Sequence, residues 1–235
     1  MIMLGVVAEE LSGAPPVLAL FVQSEYVSRN AVSSATVNFP GPEYSLPITP
    51  GDLLLVYVQM AGTGETLTVA DNAGNIYVKL SGPDDNPAEP ARRYLFMCNG
   101  VVTAPTAITA TLAGGSTALM MFVTEISGQN TFSPIDQLTY APYHATGTEW
   151  IFSTITTTQI NELVFCFFGS EQNYAIAGVG TGWAEASGEN DGGIGQTGFN
   201  EYQDAPTVAA FTGTANLSFP QTIDTAAYVL SVRGA

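Results

Sequence analysis

The sequence predicts an all-β chain: an antiparallel, jelly-roll-like β-sandwich built from two internally repeated halves. Three observations carry that reading. No window of useful length places apolar residues at i, i+3, i+4 and i+7 between proper caps, so helix periodicity is missing. Short runs rich in Val, Ile, Thr, Tyr and Phe recur throughout, each bounded by Gly, Pro, Asn or Asp, as strands are. Two segments also recur in the same order. GDLLLVYV (51–58) is matched by NELVFCFF (161–168), and AITATLAGGSTALMMFVTEISG (107–128) by TANLSFPQTIDTAAYVLSVRG (214–234).

Residues 1–18 read as an N-terminal arm ending at Pro15-Pro16, with a neighbouring subunit or the chain's own sheet as its resting place. Strands are expected near 19–28, 33–39, 52–60, 65–70, 75–80, 92–99, 106–113 and 117–127. The second half should supply 149–158, 161–169, 195–203, 207–211, 214–219 and 225–233. Asp71-Asn72-Ala73-Gly74-Asn75 is a tight turn, with an Asx acceptor and a glycine free to take positive φ. Gly114-Gly115-Ser116 reads as a hairpin connection. The stretch from Gly169 to Pro206 is weakly patterned. The halves are 19–128 and 129–235. One double sheet built from both is the favoured arrangement, and two separate sandwiches the alternative.

Charge narrows the function classes. The 235 residues include 5 Lys+Arg against 21 Asp+Glu, a net charge of -16, and the charged fraction is 11%. Phosphates would be repelled, so nucleic-acid binding through a basic face is excluded, and anionic membrane surfaces are disfavoured. The first apolar run lacks a basic flank and is broken by Glu9 and Glu10, so no signal peptide is expected. No stretch approaches the ~18 uninterrupted apolar residues that a membrane span needs. Cys98 and Cys166 sit in apolar runs and read as small core hydrophobes, with a single disulfide as the alternative.

Catalytic constellations fail one by one. His144 is the single histidine, which rules out a His-cluster zinc site, and no GxSxG elbow supports a Ser-His-Asp site. GTGETL (62–67) lacks the Lys-Ser/Thr of a phosphate loop, and Gly178 to Gly182 lacks the helix that a dinucleotide fingerprint needs. Carboxylates fall in loops (Asp84, Asp85, Glu185, Glu189, Asp191, Glu201, Asp204). Glu125 alone sits in an apolar strand, without an evident partner for glycosidase work. Asp71, Asn72 and Asn75, and also Glu189, Asn190 and Asp191, offer oxygens that calcium would accept, but no DxDxDG pattern accompanies them. The chain is therefore expected to be no enzyme, with no catalytic, cofactor or metal residues.

Several strands do not alternate. Leu53 to Val58, Leu163 to Phe168 and Leu119 to Val123 are continuous apolar runs that want cover on both faces. Loops of the chain or another subunit would supply it, and with so little charge, assembly is the expectation.

GDLLLVYV (51–58), LTVADNAGNIYVKL (67–80), RRYLFMCNGV (92–101), ITATL (108–112) and MMFVTEISG (120–128), in that order, resemble β-sandwich virion structural proteins of tailed bacteriophages and related bacterial sequences. Residues 50–128 carry the likeness well and 150–234 loosely. The resemblance implies a capsid-decoration, tail or surface-display component, made in the host cytoplasm and resident in the virion. Its partners would be copies of itself and a major capsid or tail protein. No catalytic residues come with it. Some proteins of that kind are adhesins, so the alternative is a carbohydrate-binding module. It would hold a host-surface glycan on the loop aromatics of the second half, Tyr174, Trp183 and Tyr202.

Overall fold

The computed structural model describes residues 17–41, 46–62, 66–85, 91–172, 174, 176–191 and 196–235, and all regular structure among them is antiparallel β. The first half contributes β1 (Leu20–Val32), β2 (Ser34–Asn38), β3 (Leu53–Ala61), β4 (Leu67–Asp71), β5 (Val78–Asp85), β6 (Ala91–Cys98), β7 (Ala107–Leu112) and β8 (Thr117–Ser127). The second contributes β9 (Ile135–Thr156), β10 (Glu162–Ser170), β11 (Ile176–Val179), β12 (Ala184–Asp191), β13 (Gln196–Ala205) and β14 (Ala210–Val232).

In the first half the strand order β1-β8-β3-β6-β5 faces a smaller sheet, β2-β7-β4. First pairs with last, second with seventh, and third with sixth, which is the jelly-roll order. The second half runs β14-β10-β13-β12 with β9 beside β14. There β9 and β14 are long enough to serve both layers. Ile135 to Gly147 pairs with the last part of β14, and Glu149 to Thr156 with its first part, which also carries β11. The register slips between Asn216 and Gln221, around Pro220, where the ribbon passes from one layer to the other. The second half thus repeats the first strand for strand, and the two recurring sequence segments fall on matching strands: β3 on β10, and β7 plus β8 on β14. Gly114-Gly115 is not a hairpin turn. β7 and β8 lie in different sheets, so those glycines carry the chain across the sandwich, both with positive φ.

Each half therefore closes its own sandwich, and the two large sheets pack face to face. This covers the unalternated strands. Leu54, Val56, Val58 and Met60 of β3 face the small sheet through Val37, Ile108 and Leu112. Leu53, Leu55 and Tyr57, on the other face, meet Leu163, Phe165, Phe167 and Tyr228 of the second half. Tyr57 stacks on Phe167 at 5.9 Å and meets Tyr228 edge-on at 6.0 Å. A third core, under the folded ribbon, gathers Trp150, Phe168, Tyr174, Trp183 and Phe211. The cover expected from loops or a second subunit is supplied by the chain's own other half. The period-2 pattern of a strand cannot say whose sheet lies above it.

Polar groups pin this contact. Arg93, fully buried, donates from Nη2 and Nε to the carbonyl of Gly169 (2.8 and 3.3 Å). Gln59 donates to the carbonyl of Ser170 (2.8 Å), and the Tyr228 hydroxyl to Asp84 (2.6 Å). A Cβ on Gly169 would stand 2.1 Å from Gln59 Oε1 and 2.6 Å from the Tyr57 hydroxyl, so a side chain there would displace the polar groups that pin the contact.

Three stretches departed from expectation. Ile135 to Gly147 is strand despite Pro142, because β9 is an edge strand and its other side needs no ladder donor. Ala184–Asp191 (AEASGEND) has little strand propensity, yet β13 recruits it as an edge. Ile176–Val179 pairs β14 across the weakly patterned region. Cys98 and Cys166 are both free and buried, in different cores.

Candidate attachment surface

The residues singled out from sequence are absorbed by the fold. Asp71 Oδ1 accepts the backbone N–H groups of Ala73, Gly74 and Asn75 (2.9, 2.7 and 3.1 Å). Its Oδ2 accepts from Asn75 Nδ2 (2.7 Å) and the Tyr77 hydroxyl (3.1 Å). Burial raises this carboxyl, but those donors outweigh burial and hold it below the ordinary range. Asn75 Oδ1 accepts from the N–H of Val102, and Asn72 Oδ1 from that of Thr106, tying the β4–β5 loop to the β6–β7 loop. The turn's oxygens thus close a clamp inward. Asp71→Ala should cost about 1–3 kcal/mol, since several half-buried donors lose a charged acceptor. Calcium should leave the melting temperature of both forms unchanged. A calcium-dependent rise that Asp71→Ala abolishes would make the turn a cation site.

Glu125 does have partners. It accepts from Gln23 Nε2 and from the N–H of Thr49 (2.6 Å), and it shares a hydrogen bond with Asp52. Burial, then Glu125, pushes the Asp52 carboxyl up to about 6. Glu201 lies not in a loop but on β13, fully buried, accepting from the N–H of Gly180 (3.1 Å) and of Thr214 (3.0 Å). Burial raises it to about 7 against the pull of those two bonds. The side chains of His144, Glu189, Asn190 and Asp191 lie outside the described residues, as do residues 1–16 of the expected arm. No group of three or more His, Cys, Asp or Glu is poised to hold a metal among the described residues.

The proposed sugar platform does not assemble. Tyr174 and Trp183 are buried in the second-half core, 3% and 9% exposed, with Trp183 Nε1 donating to the carbonyl of Thr212. Tyr202 faces the other way and stacks on Phe21 at 4.3 Å, against the first half. Rings enclosed by a core have no face left for a pyranose. A polar cleft of about 360 Å³ exists elsewhere, between Ser24, Glu25 and Tyr26 of β1 and Glu185 to Gly188 of β12. Ser24, Thr124, Ser187 and Asn200 form a hydrogen-bonded floor joining the two halves, with Ser24 Oγ to Ser187 Oγ at 3.0 Å.

The apolar surface is unevenly distributed. β1, β3, β5, β9 and β10 begin at one end of the double sandwich, where β6, β8, β13 and β14 finish. Among the described residues the large exposed hydrophobics are Val17, Leu20, Leu46, Ile76, Val78, Val102, Phe132, Ile151, Ile160 and Val208. Every one but Ile151 belongs to a loop or strand terminus at that end. Ile76, Val102 and Phe132 protrude most, at 79%, 83% and 98% exposure.

Hydrogen bonds make this end continuous. Asn99 Nδ2 donates to the Thr131 carbonyl (2.7 Å), Gln129 Nε2 to that of Gly51 (2.8 Å), and the Val17 N–H to that of Ala235 (2.8 Å). Asp204 is exposed at this end, but five other carboxyls here are turned into the fold: Asp52, Asp71, Glu125, Glu162 and Asp136. The last bonds Thr158 and Arg233. Asp84, Asp85 and Glu171 stand towards the opposite end, where β5 and β10 finish. Sequence reasoning missed this surface because its members are single apolar residues in separate loops, with no local pattern. No protein-family model, no curated protein and no solved structure matches the chain.

Proposed function

We propose that this chain is a non-catalytic structural component of a phage virion. It is a capsid-decoration or surface-display protein, made in the host cytoplasm and assembled through its apolar end onto copies of itself and a major capsid or tail protein. The observation that carries the reading is the gathering of exposed hydrophobics at the end that also holds Val17 and Ala235. Burying each large side chain contributes roughly 1.5–3 kcal/mol, so a few suffice to hold a subunit in place. The likeness of residues 50–128 to tailed-phage β-sandwich proteins supplies the setting. Mass spectrometry of purified particles should find the chain in many copies. The double variant Val102→Ser, Phe132→Ser should fold normally and fall at least tenfold in copy number. A chain absent from particles, or one whose incorporation ignores that variant, would overturn the reading.

The cleft favours a second reading, a host-glycan binder. Tyr26 offers a half-buried ring beside Glu25 and Glu185, in the kind of interface crevice where ligands collect. Glycan binding lost in Tyr26→Ala, with the chain absent from particles, would replace the first reading with this one.

A further inference from the structure

We infer that the apolar end receives the N-terminal segment of a second copy of this chain, residues Ile2 to Val7. The inference rests on the assembly role proposed above and names the partner of that surface. The acceptor includes a notch of about 300 Å³ between the β4–β5 and β6–β7 loops, with Ile76 and Val102 on its walls and Cys98 among its lining residues. The Asn75 side chain, which also lines it, is committed to Asp71, Val102 and the carbonyl of Thr103. The notch offers Ile76 and Val102 as apolar walls, and Asn99 of its lining keeps a buried Oδ1 without a partner among the described residues. Phe132 stands beside it, since the neighbouring Thr131 is held by Asn99 of the same lining.

The occupant follows from where the described chain begins. Val17 is fixed at this same end by its bond to Ala235, and β1 runs from there away into the body. Sixteen residues precede it, opening with Met1-Ile2-Met3-Leu4-Gly5-Val6-Val7, the only apolar stretch outside the described residues that is free of charge over seven positions. Pro15 and Pro16 come immediately before Val17. A Pro-Pro pair is a stiff spacer in any chain, suited to carrying an apolar segment to a neighbour. Glu9 and Glu10 then lie between the apolar stretch and the prolines, where an arm crossing to a neighbour keeps them in water. A reciprocal exchange of arms between two copies satisfies both ends at once and closes the assembly.

Sedimentation of the full chain, of a chain lacking residues 1–16, and of Val102→Ser, Phe132→Ser should decide it, in low and in high salt. The full chain should sediment as an oligomer at micromolar concentration in both salts. Both altered forms should fall to the monomer mass with unchanged near-ultraviolet circular dichroism. A peptide of residues 1–16 should bind the truncated chain but not the double variant. An oligomer that survives the truncation would overturn the inference. So would a full chain that is monomeric and whose truncation merely exposes dye-binding surface, which would seat the arm on its own subunit. If the inference fails in either way while the double variant still loses its place in particles, the assembly role stands and its partner is another protein.

Discussion

Phe165→Ala is expected to destabilise the whole molecule by about 3–5 kcal/mol and to leave its unfolding a single transition. Phe165 sits at the centre of the core between the halves, fully buried, 5.7 Å from Phe167, 6.1 Å from Tyr202 and 6.3 Å from Phe21. Removing the ring leaves a cavity that two sheets held by opposing hydrogen-bond ladders close poorly. The two halves should melt together, because Leu53, Leu55, Tyr57 and Phe122 would face water if the second half left first. Both tryptophans, Trp150 and Trp183, lie in the second half, so their fluorescence reports that half alone while far-ultraviolet circular dichroism reports both. Coincident curves in the parent and the variant are the expected result. Two separated transitions, with only the fluorescence shifted, would show two independently stable sandwiches.

Stability should fall as pH rises from about 4.5 to about 7, and Glu201→Gln should remove much of that slope. Glu201 is pushed up to about 7 by burial, above the 4.5 of an unstrained glutamate. Over that window the folded chain holds a proton that the unfolded chain has released, so the unfolding free energy declines with pH. The full difference is at most about 3 kcal/mol and is present as a loss above pH 7. Asp52, raised to about 6, and Glu162, raised by burial, contribute with the same sign, so Glu201→Gln leaves a residual slope that Asp52→Asn should reduce further. Melting temperatures from pH 4 to pH 8 measure it. A parent chain whose stability climbs through this window would show that Glu201 is ionised in the folded state. The carboxyl bridges β13 to the Gly180 and Thr214 amides of the outer layer, so its protonation bears on how firmly that layer is held.

Much of this architecture could be read from residues alone. The β-branched and aromatic runs located β3, β6, β8 and β10 closely, because those strands are buried on both faces and carry their hydrophobicity with them. The Asp71 to Asn75 turn was legible because Asx acceptors and a positive-φ glycine act within five residues. The matching of β3 with β10 was visible because equivalent places in two similar sandwiches demand similar side chains. Two edge segments of the second half were not legible, although the edges β1, β2 and β4 were. Ala184–Asp191 has no propensity of its own and becomes a strand by borrowing the ladder of β13, and the first part of β9 hides behind Pro142. Tyr174 and Trp183 read as loop aromatics and lie in a core, because the folded β9–β14 ribbon roofs them over from distant sequence.

The sequence by itself determined that the chain is antiparallel β and that several strands must be covered twice. Which surface covers them was decided by tertiary structure. A continuous apolar strand looks the same whether its second face meets a loop, another subunit or the chain's own other half, since burial depends on what is near in space and not on what is next in the chain. The same reason hid the apolar end. Ile76, Val102 and Phe132 are unremarkable where they stand in the sequence, and become a surface only when three connections finish at one end of two stacked sandwiches.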